Sequence, residues 1–402
     1  YRYGHGNIVI DKDLTIKAVN AAAKPRLYQE STGSGSAFYG VVISGEDTDF
    51  ILQGIQYLRN SSFNSGIRIE GQVNSVALLE NLFSEVIIRV SETYADGKPE
   101  VVNDLLIVGN SMYKIDLYGM NFDLAAKHTL LLAGNTISYS PLTISGMGAE
   151  ADIIGNSFIG YRTLLNTSDG PSVNITANKF EQRLTNNSGS VSGQYYTALN
   201  FANHGEFRNN IVQQGVNHLG ATGTPAAFRA VNFGSHRWSV SNNVFDLMAP
   251  AIQTDIDSTG VNQGVFSTYG TLDFHNNIVT NYLQNEMFEL IHSDAIETFK
   301  SSNNLCFNNV ADCPASPSLL TVDPKFVDTN TYLLAADSPA IDAGVDTKIN
   351  RDLDGSIADL GVHAGAFPYL QFAEQRNLGT AAEPNVKPWL YPLFEANMNL
   401  SN

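Results

Sequence analysis

One short phrase recurs along this chain: apolar residues, a small residue, an asparagine, any residue, and then a large apolar one. It stands at Asn81, Asn110, Asn135, Asn156 and Asn178, then with doubled asparagines at Asn209-Asn210, Asn242-Asn243, Asn276-Asn277 and Asn303-Asn304. Counted from the first asparagine of each, the nine copies lie 29, 25, 21, 22, 31, 33, 34 and 27 residues apart. A fixed phrase on such a period marks stacked repeats, in which each unit buries its apolar face only against its neighbours. The uneven step implies a constant rung carrying loops of different lengths.

A solenoid grows by adding rungs, so a chain of 402 residues can form one elongated domain without outgrowing a conventional core. Each rung reads as three short strands, with the Asn phrase as the turn after the second. The first strands then fall at 67–70, 87–91, 115–118, 142–145, 162–166, 198–201 and 230–233. Alternation along them points Ile67, Ile69, Ile88, Val90, Ile115, Leu117, Leu142, Ile144, Leu199, Phe201, Val231 and Phe233 inward. The asparagines read as structural: their amides stack from coil to coil and satisfy backbone groups buried in the turn. Phe83, Phe158 and Phe180 form an apolar ladder beside them. Residues 1–30 read as a first, partial coil, and regular coiling begins at Thr48. Insertions at 184–196, 216–227 and 253–269 are loops of the length and composition that carry binding residues, among them Tyr195, Tyr196, His218 and Phe266.

A net charge of −17 excludes nucleic acid and anionic membrane as partners, since both demand a basic face. No run of 18 apolar residues is present, so no segment reads as a membrane-spanning helix. Cys306 and Cys313 are spaced for a local disulfide. That spacing and the start at Tyr1 suggest a secreted protein whose leader is removed before Tyr1. An acidic glycan would be repelled at long range and would need a local cluster of Arg and Lys, or a bridging cation. The outward positions of the first strands supply such a cluster. Alternation sets Arg68, Arg89, Asp116, Thr143, Asn200 and Asn232 in a middle row. Lys114 and Arg162 precede that row, while Glu70, Tyr118 and Asn166 follow it.

Past Asn304 the phrase fades. There follow Asp323-Pro324-Lys325-Phe326-Val327-Asp328, Ser338-Pro339-Ala340-Ile341-Asp342-Ala343-Gly344, Asp352-Leu353-Asp354-Gly355, Asp359-Leu360-Gly361 and Gly365-Ala366-Phe367. This succession resembles the C-terminal signature of secreted bacterial right-handed parallel β-helix proteins, many of them polysaccharide lyases. Here Gly361-Val362-His363-Ala364-Gly365 lengthens the usual ending. The resemblance implies an all-β fold, a single-stranded right-handed parallel β-helix of about ten coils with a C-terminal capping segment. The β-helix would cover 1–322, the signature segment 323–370, and a strap or cap 371–402. Size and plan resemble a bacterial biofilm-matrix polysaccharide lyase.

The resemblance further implies that an acidic polysaccharide lies along the first-strand face and is cut by β-elimination. That reaction needs the uronate carboxylate neutralised, a base for the C5 proton and an acid for the leaving oxygen. Arg68 and Arg89 are the candidates for neutralisation, Lys114 or Arg162 for the base, and Tyr118 for the acid. Asp116, Glu70, Asn166, Asn200, Asn232, Tyr195, Tyr196 and His204 are the candidate substrate contacts. No cofactor is required, although Ca2+ is an alternative route to neutralisation, with Asp255, Asp257, Asp352 and Asp354 as candidate ligands. The chain is expected to act as a monomer. Two other readings stay open: a glycoside hydrolase using Asp116 with Glu70 or Asp255 with Asp257, and a non-catalytic glycan-binding surface protein.

Overall fold

In the computed structural model the described residues are 8–19, 24–30, 40–60, 66–70, 72–83, 86–90, 101–112, 115–118, 129–139, 142–145, 151–160, 164–183, 196–215, 228–233, 236–247, 266–268, 270–281, 288–290, 299–309, 313–346 and 351–365. Among them every regular element is a β-strand, and no helix is long and apolar enough to cross a membrane. They group into two compact units, 8–156 with 168–172, and 157–167 with 173–365.

The first unit is three ladders of parallel strands. One ladder pairs Ile8–Ile10, Val41–Ser44, Gly66–Glu70, Val86–Val90, Ile115–Tyr118 and Leu142–Ser145 in succession. A second pairs Leu14–Lys17, Thr48–Gln53, Gln72–Leu79, Val101–Val108, Thr129–Ala133 and Ala151–Ile154. The third begins with Arg26–Glu30 on Gln56–Asn60 and continues through Leu82–Phe83, Ser111–Met112 and Thr136–Tyr139. Each strand pairs with the one a full coil later, so the chain winds as a parallel β-helix. Coiling starts at Ile8, earlier than Thr48, because the short runs at 8–10, 14–17 and 26–30 each find a partner in the next coil.

The second unit repeats the plan. Tyr196–Arg208 pairs with Phe228–Asn232 at its start and with Trp238–Ser241 at its end. Leu272–His275 and Phe299–Ser302 extend the latter ladder. Ser157–Gly160, Lys179–Arg183, Ile211–Gly215, Val244–Asp246, Ile278–Thr280 and Leu305–Phe307 form the third ladder.

The asparagines lie where the repeat predicts. Asn81, Asn110, Asn135, Asn156, Asn178, Asn210, Asn243, Asn277 and Asn304 are all at most 2% exposed, so every polar atom they carry must find a partner inside. Asn243 shows how. Its amide donates to the Phe207 and Ser241 carbonyls at 2.8 and 2.9 Å and to Asn277 Oδ1, while its own Oδ1 accepts the Asn210 backbone N–H at 2.9 Å. Each rung thus satisfies its own turn and that of the rung before it. The residue before each ladder asparagine takes positive φ, as Glu80, Gly109, Gly134, Gly155, Ala177, Asn209, Asn242, Asn276 and Asn303. Glycine and asparagine tolerate that conformation best. Beside the turns, Phe83, Met112 and Ile137 stand in register in the first unit, and Phe158, Phe180, Val212, Phe245, Val279 and Cys306 in the second.

The doubled asparagines have a second duty. In the second unit, residues 313–346 and 351–365 run back along the turns and dock on the first members of three of the pairs. Asn209 Nδ2 donates to the Val362 and Ala364 carbonyls at 3.2 and 2.7 Å, Asn276 Oδ1 accepts the Val345 N–H at 2.9 Å, and Asn303 Nδ2 donates to the Ala343 carbonyl at 3.0 Å. Tyr332 is 1% exposed and donates its hydroxyl to the buried Asp246 carboxylate at 2.7 Å. Residues 313–346 and 351–365 thus form a strap on the second unit. The expected strap at 371–402 lies outside the described residues. The predicted Cys306–Cys313 disulfide is formed just before it.

Two measurements probe these contacts. Asn243→Ala leaves the Asn210 N–H and the Phe207 carbonyl without partners, so urea unfolding should show a loss of about 2–4 kcal/mol. Burial, with Asp352, Asp342 and Asp354 nearby, raises the Asp359 carboxyl to about 6. A raised carboxyl pKa means that stability falls as pH rises from about 4 through 6. Asp359→Asn keeps the acceptor for the Asp342 N–H, so it should stabilise at pH 8 and give little change at pH 4.

Candidate functional site

The first-strand ladder of the first unit sets the predicted cluster in a fixed register. Ile67, Ile88, Leu117 and Ile144 align and face the core, each at most 2% exposed. The residue after each therefore shares one outward row: Arg68 stands opposite Arg89, and Arg89 opposite Tyr118. This corrects the expected middle row. Asp116 lies opposite Ile87, not Arg89, because Leu117 and not Ile115 is the partner of Ile88. Neighbouring rungs are about 4.8 Å apart.

Arg68 is partly committed. Its Nε lies 2.8 Å from Glu70 Oε1, two residues along the same outward face, and both side chains are about one-third exposed. An ion pair of that exposure contributes roughly 0–1 kcal/mol, so it orients the guanidinium without adding much to stability. For Arg89, Asp116, Tyr118 and Tyr196 the backbone alone is described, while Lys114, Arg162, Tyr195, His218, Asp255 and Asp257 lie outside the described residues.

The register bears on the hydrolase reading. Asp116 is aligned through Ile87 with Gly66, four residues before Glu70 and two rungs away. Their Cα atoms are thus roughly 16 Å apart at about 3.3 Å per residue and 4.8 Å per rung, against a carboxyl spacing of about 5–9.5 Å for a glycosidase pair. The register thus sets Asp116 and Glu70 two rungs and four residues apart.

In the second unit the first-strand face is uncharged where the sequence placed Asn166, Asn200 and Asn232. Asn232 donates to Asn200 and Asn200 to Asn166, both at 2.7 Å. The three half-buried amides form a rigid outward row, which Ser267 and Glu289 continue in register. Amides held this way offer donors and acceptors at a fixed repeat, a surface suited to sugar hydroxyls.

His204 lies off this row, on the stretch joining the first and second ladders. It is exposed, accepts the Arg237 backbone N–H on Nδ1 at 3.1 Å, and meets the His236 ring edge-on with centroids 4.6 Å apart. Beside it the second-strand face carries Asp273, whose carboxyl is held below its ordinary range by a hydrogen bond from His275 and by the charges of His275, Lys300 and Arg237. The sequence offers His204 only as a candidate substrate contact. Arg237 and Lys300 went unread because their rows are set by the pairing of Trp238, Leu272 and Phe299.

The calcium candidates in the strap are occupied otherwise. Asp352 accepts the Gly365 and Asp359 backbone N–H groups, and Asp354 accepts the N–H and hydroxyl of Ser356. Those are turn-forming bonds. Among the described residues no group of three or more His, Cys, Asp or Glu is arranged to hold a metal ion.

No family model matches the chain. No curated protein matches it either. Among solved structures it is similar to the crystal structure of pectate lyase Pel9A, with 11% identity, a TM-score of 0.35, and coverage of 89% of this chain and 97% of that one.

Proposed function

We propose that the protein is a secreted polysaccharide lyase that cleaves an acidic, uronate-containing exopolysaccharide, such as a biofilm-matrix glycan, by β-elimination. The observation that carries this reading is the strand register that puts Arg68 and Arg89 on adjacent rungs with Tyr118 on the next. The chain has 23 basic residues against 40 acidic ones, so two arginines side by side on an outward row are a local reversal of its charge. Such a pair suits a sugar carboxylate, which a planar guanidinium grips through two parallel hydrogen bonds.

Neutralising the carboxylate makes the C5 proton acidic. Lys114, just before the strand Ile115–Tyr118, is the proposed base, with Arg162 as the alternative. Tyr118 is the proposed donor to the leaving oxygen. Glu70 would hold Arg68 in place, and the amide row of Asn166, Asn200 and Asn232 would bind sugar hydroxyls. Tyr195 and Tyr196 are proposed as further saccharide contacts.

The test is direct. Incubating the protein with acidic polysaccharides should release products bearing the ultraviolet absorbance of a conjugated, unsaturated uronate. Reducing ends without that absorbance would indicate hydrolysis, and tight binding without new ends a binding protein. Arg89→Ala and Lys114→Ala should each lower turnover by about a hundredfold or more while leaving the melting temperature within a few degrees. Wild-type turnover in either variant would remove that residue from the mechanism.

A further inference from the structure

The crossing between ladders in the second unit gathers hydrogen-bond donors that have no acceptor. Residues 196–200 pair with Phe228–Asn232, and 205–208 with Trp238–Ser241, so 201–204 turn the corner between them. The corner closes tightly: a Cβ on Gly205 would fall 2.1 Å from the Val173 carbonyl oxygen and 2.9 Å from the Trp238 ring.

At this corner Asn203 is fully buried. Its Oδ1 accepts the Thr167 hydroxyl at 2.5 Å, but its Nδ2 has no hydrogen-bond partner. A buried amide donor left empty is met in most folded proteins by water or ligand. His204, the next residue, accepts the Arg237 N–H on Nδ1, so the neutral ring carries its proton on Nε2 and is a donor there. His236 packs edge-on against it at 4.6 Å. Arg237 follows directly, exposed, and the carboxylate whose field it shares, Asp273, is already hydrogen-bonded by His275 and shared with Lys300. The other nearby acid, Glu206, lies 3.5 Å from Arg208. Donors and positive charge therefore outnumber acceptors, in a chain whose net charge is −17.

We propose that the corner formed by His204, His236 and Arg237 is a carboxylate-binding site, which takes an acidic monosaccharide unit away from the first-strand row. Arg237 supplies the charge and a two-pronged grip, and His204 Nε2–H supplies a hydrogen bond. The site binds and does not cleave, so it stands whether or not the first-strand face is a lyase centre.

Histidine ring resonances of the full chain, followed by NMR while D-galacturonate is added, test it. Galacturonate should shift the His204 and His236 ring signals saturably, and D-galactose should not. Arg237→Gln should weaken the interaction about tenfold, and Lys12→Gln, on an exposed residue of the first unit, should leave it unchanged. Absence of a saturable shift, an equal response to galactose, or wild-type affinity in Arg237→Gln would overturn the proposal. Circular dichroism of each variant confirms that the coil is intact.

Discussion

A chain whose strands pair only with the coils before and after must turn between strands on every rung, and the turn at the asparagine phrase takes backbone N–H and carbonyl groups out of contact with solvent. The buried asparagine amide resolves this. It has a donor pair and an acceptor in one rigid plane, and stacked at the rung spacing it satisfies the turn it sits in and the one before it. Asn110 illustrates the economy: its backbone N–H is held by Asn135 Oδ1 at 2.9 Å, its amide holds the Leu78 carbonyl at 2.8 Å, and its own Oδ1 accepts the Asn81 N–H at 2.8 Å. Remove one amide and two turns lose partners, which accounts for asparagine standing there in all nine copies while the loop lengths differ.

The same constraint positions the surface. Once the ladder asparagines fix each coil, the inward residues of the first strands follow, and the outward ones have no choice of neighbour. Arg68 and Arg89 are adjacent because Ile67 and Ile88 are. The half-buried Asn166, Asn200 and Asn232 are hydrogen-bonded into a row for the same reason. A β-helix thus converts residues that are tens of positions apart in sequence into flat arrays at a regular spacing, a geometry matched to a polymer of repeating units.

Much of this was legible in the sequence. The period of the Asn phrase gave the coils, alternation gave the core, and the spacing of Cys306 and Cys313 gave the disulfide. Register within a ladder was not legible: Asp116 was counted opposite Arg89, whereas Tyr118 is, because alternation has a period of two and cannot tell a strand from the same strand slipped by two residues. The doubling of asparagine after Asn178 was visible but had no reading, since its cause is the strap at 313–346 and 351–365, which is distant in sequence and docks on Asn209, Asn276 and Asn303. Arg237 drew no notice for a similar reason; a lone arginine between a histidine and a tryptophan carries no pattern until His204 is brought beside it.

The account stands most directly on where an acidic glycan lies. A crystal structure of the Lys114→Ala variant soaked with an acidic oligosaccharide answers that in one measurement. Sugar density should lie across the strands Gly66–Glu70, Val86–Val90 and Ile115–Tyr118, with a carboxylate against Arg68 and Arg89. Well-ordered sugar elsewhere on the coil, with those arginines untouched, would contradict it.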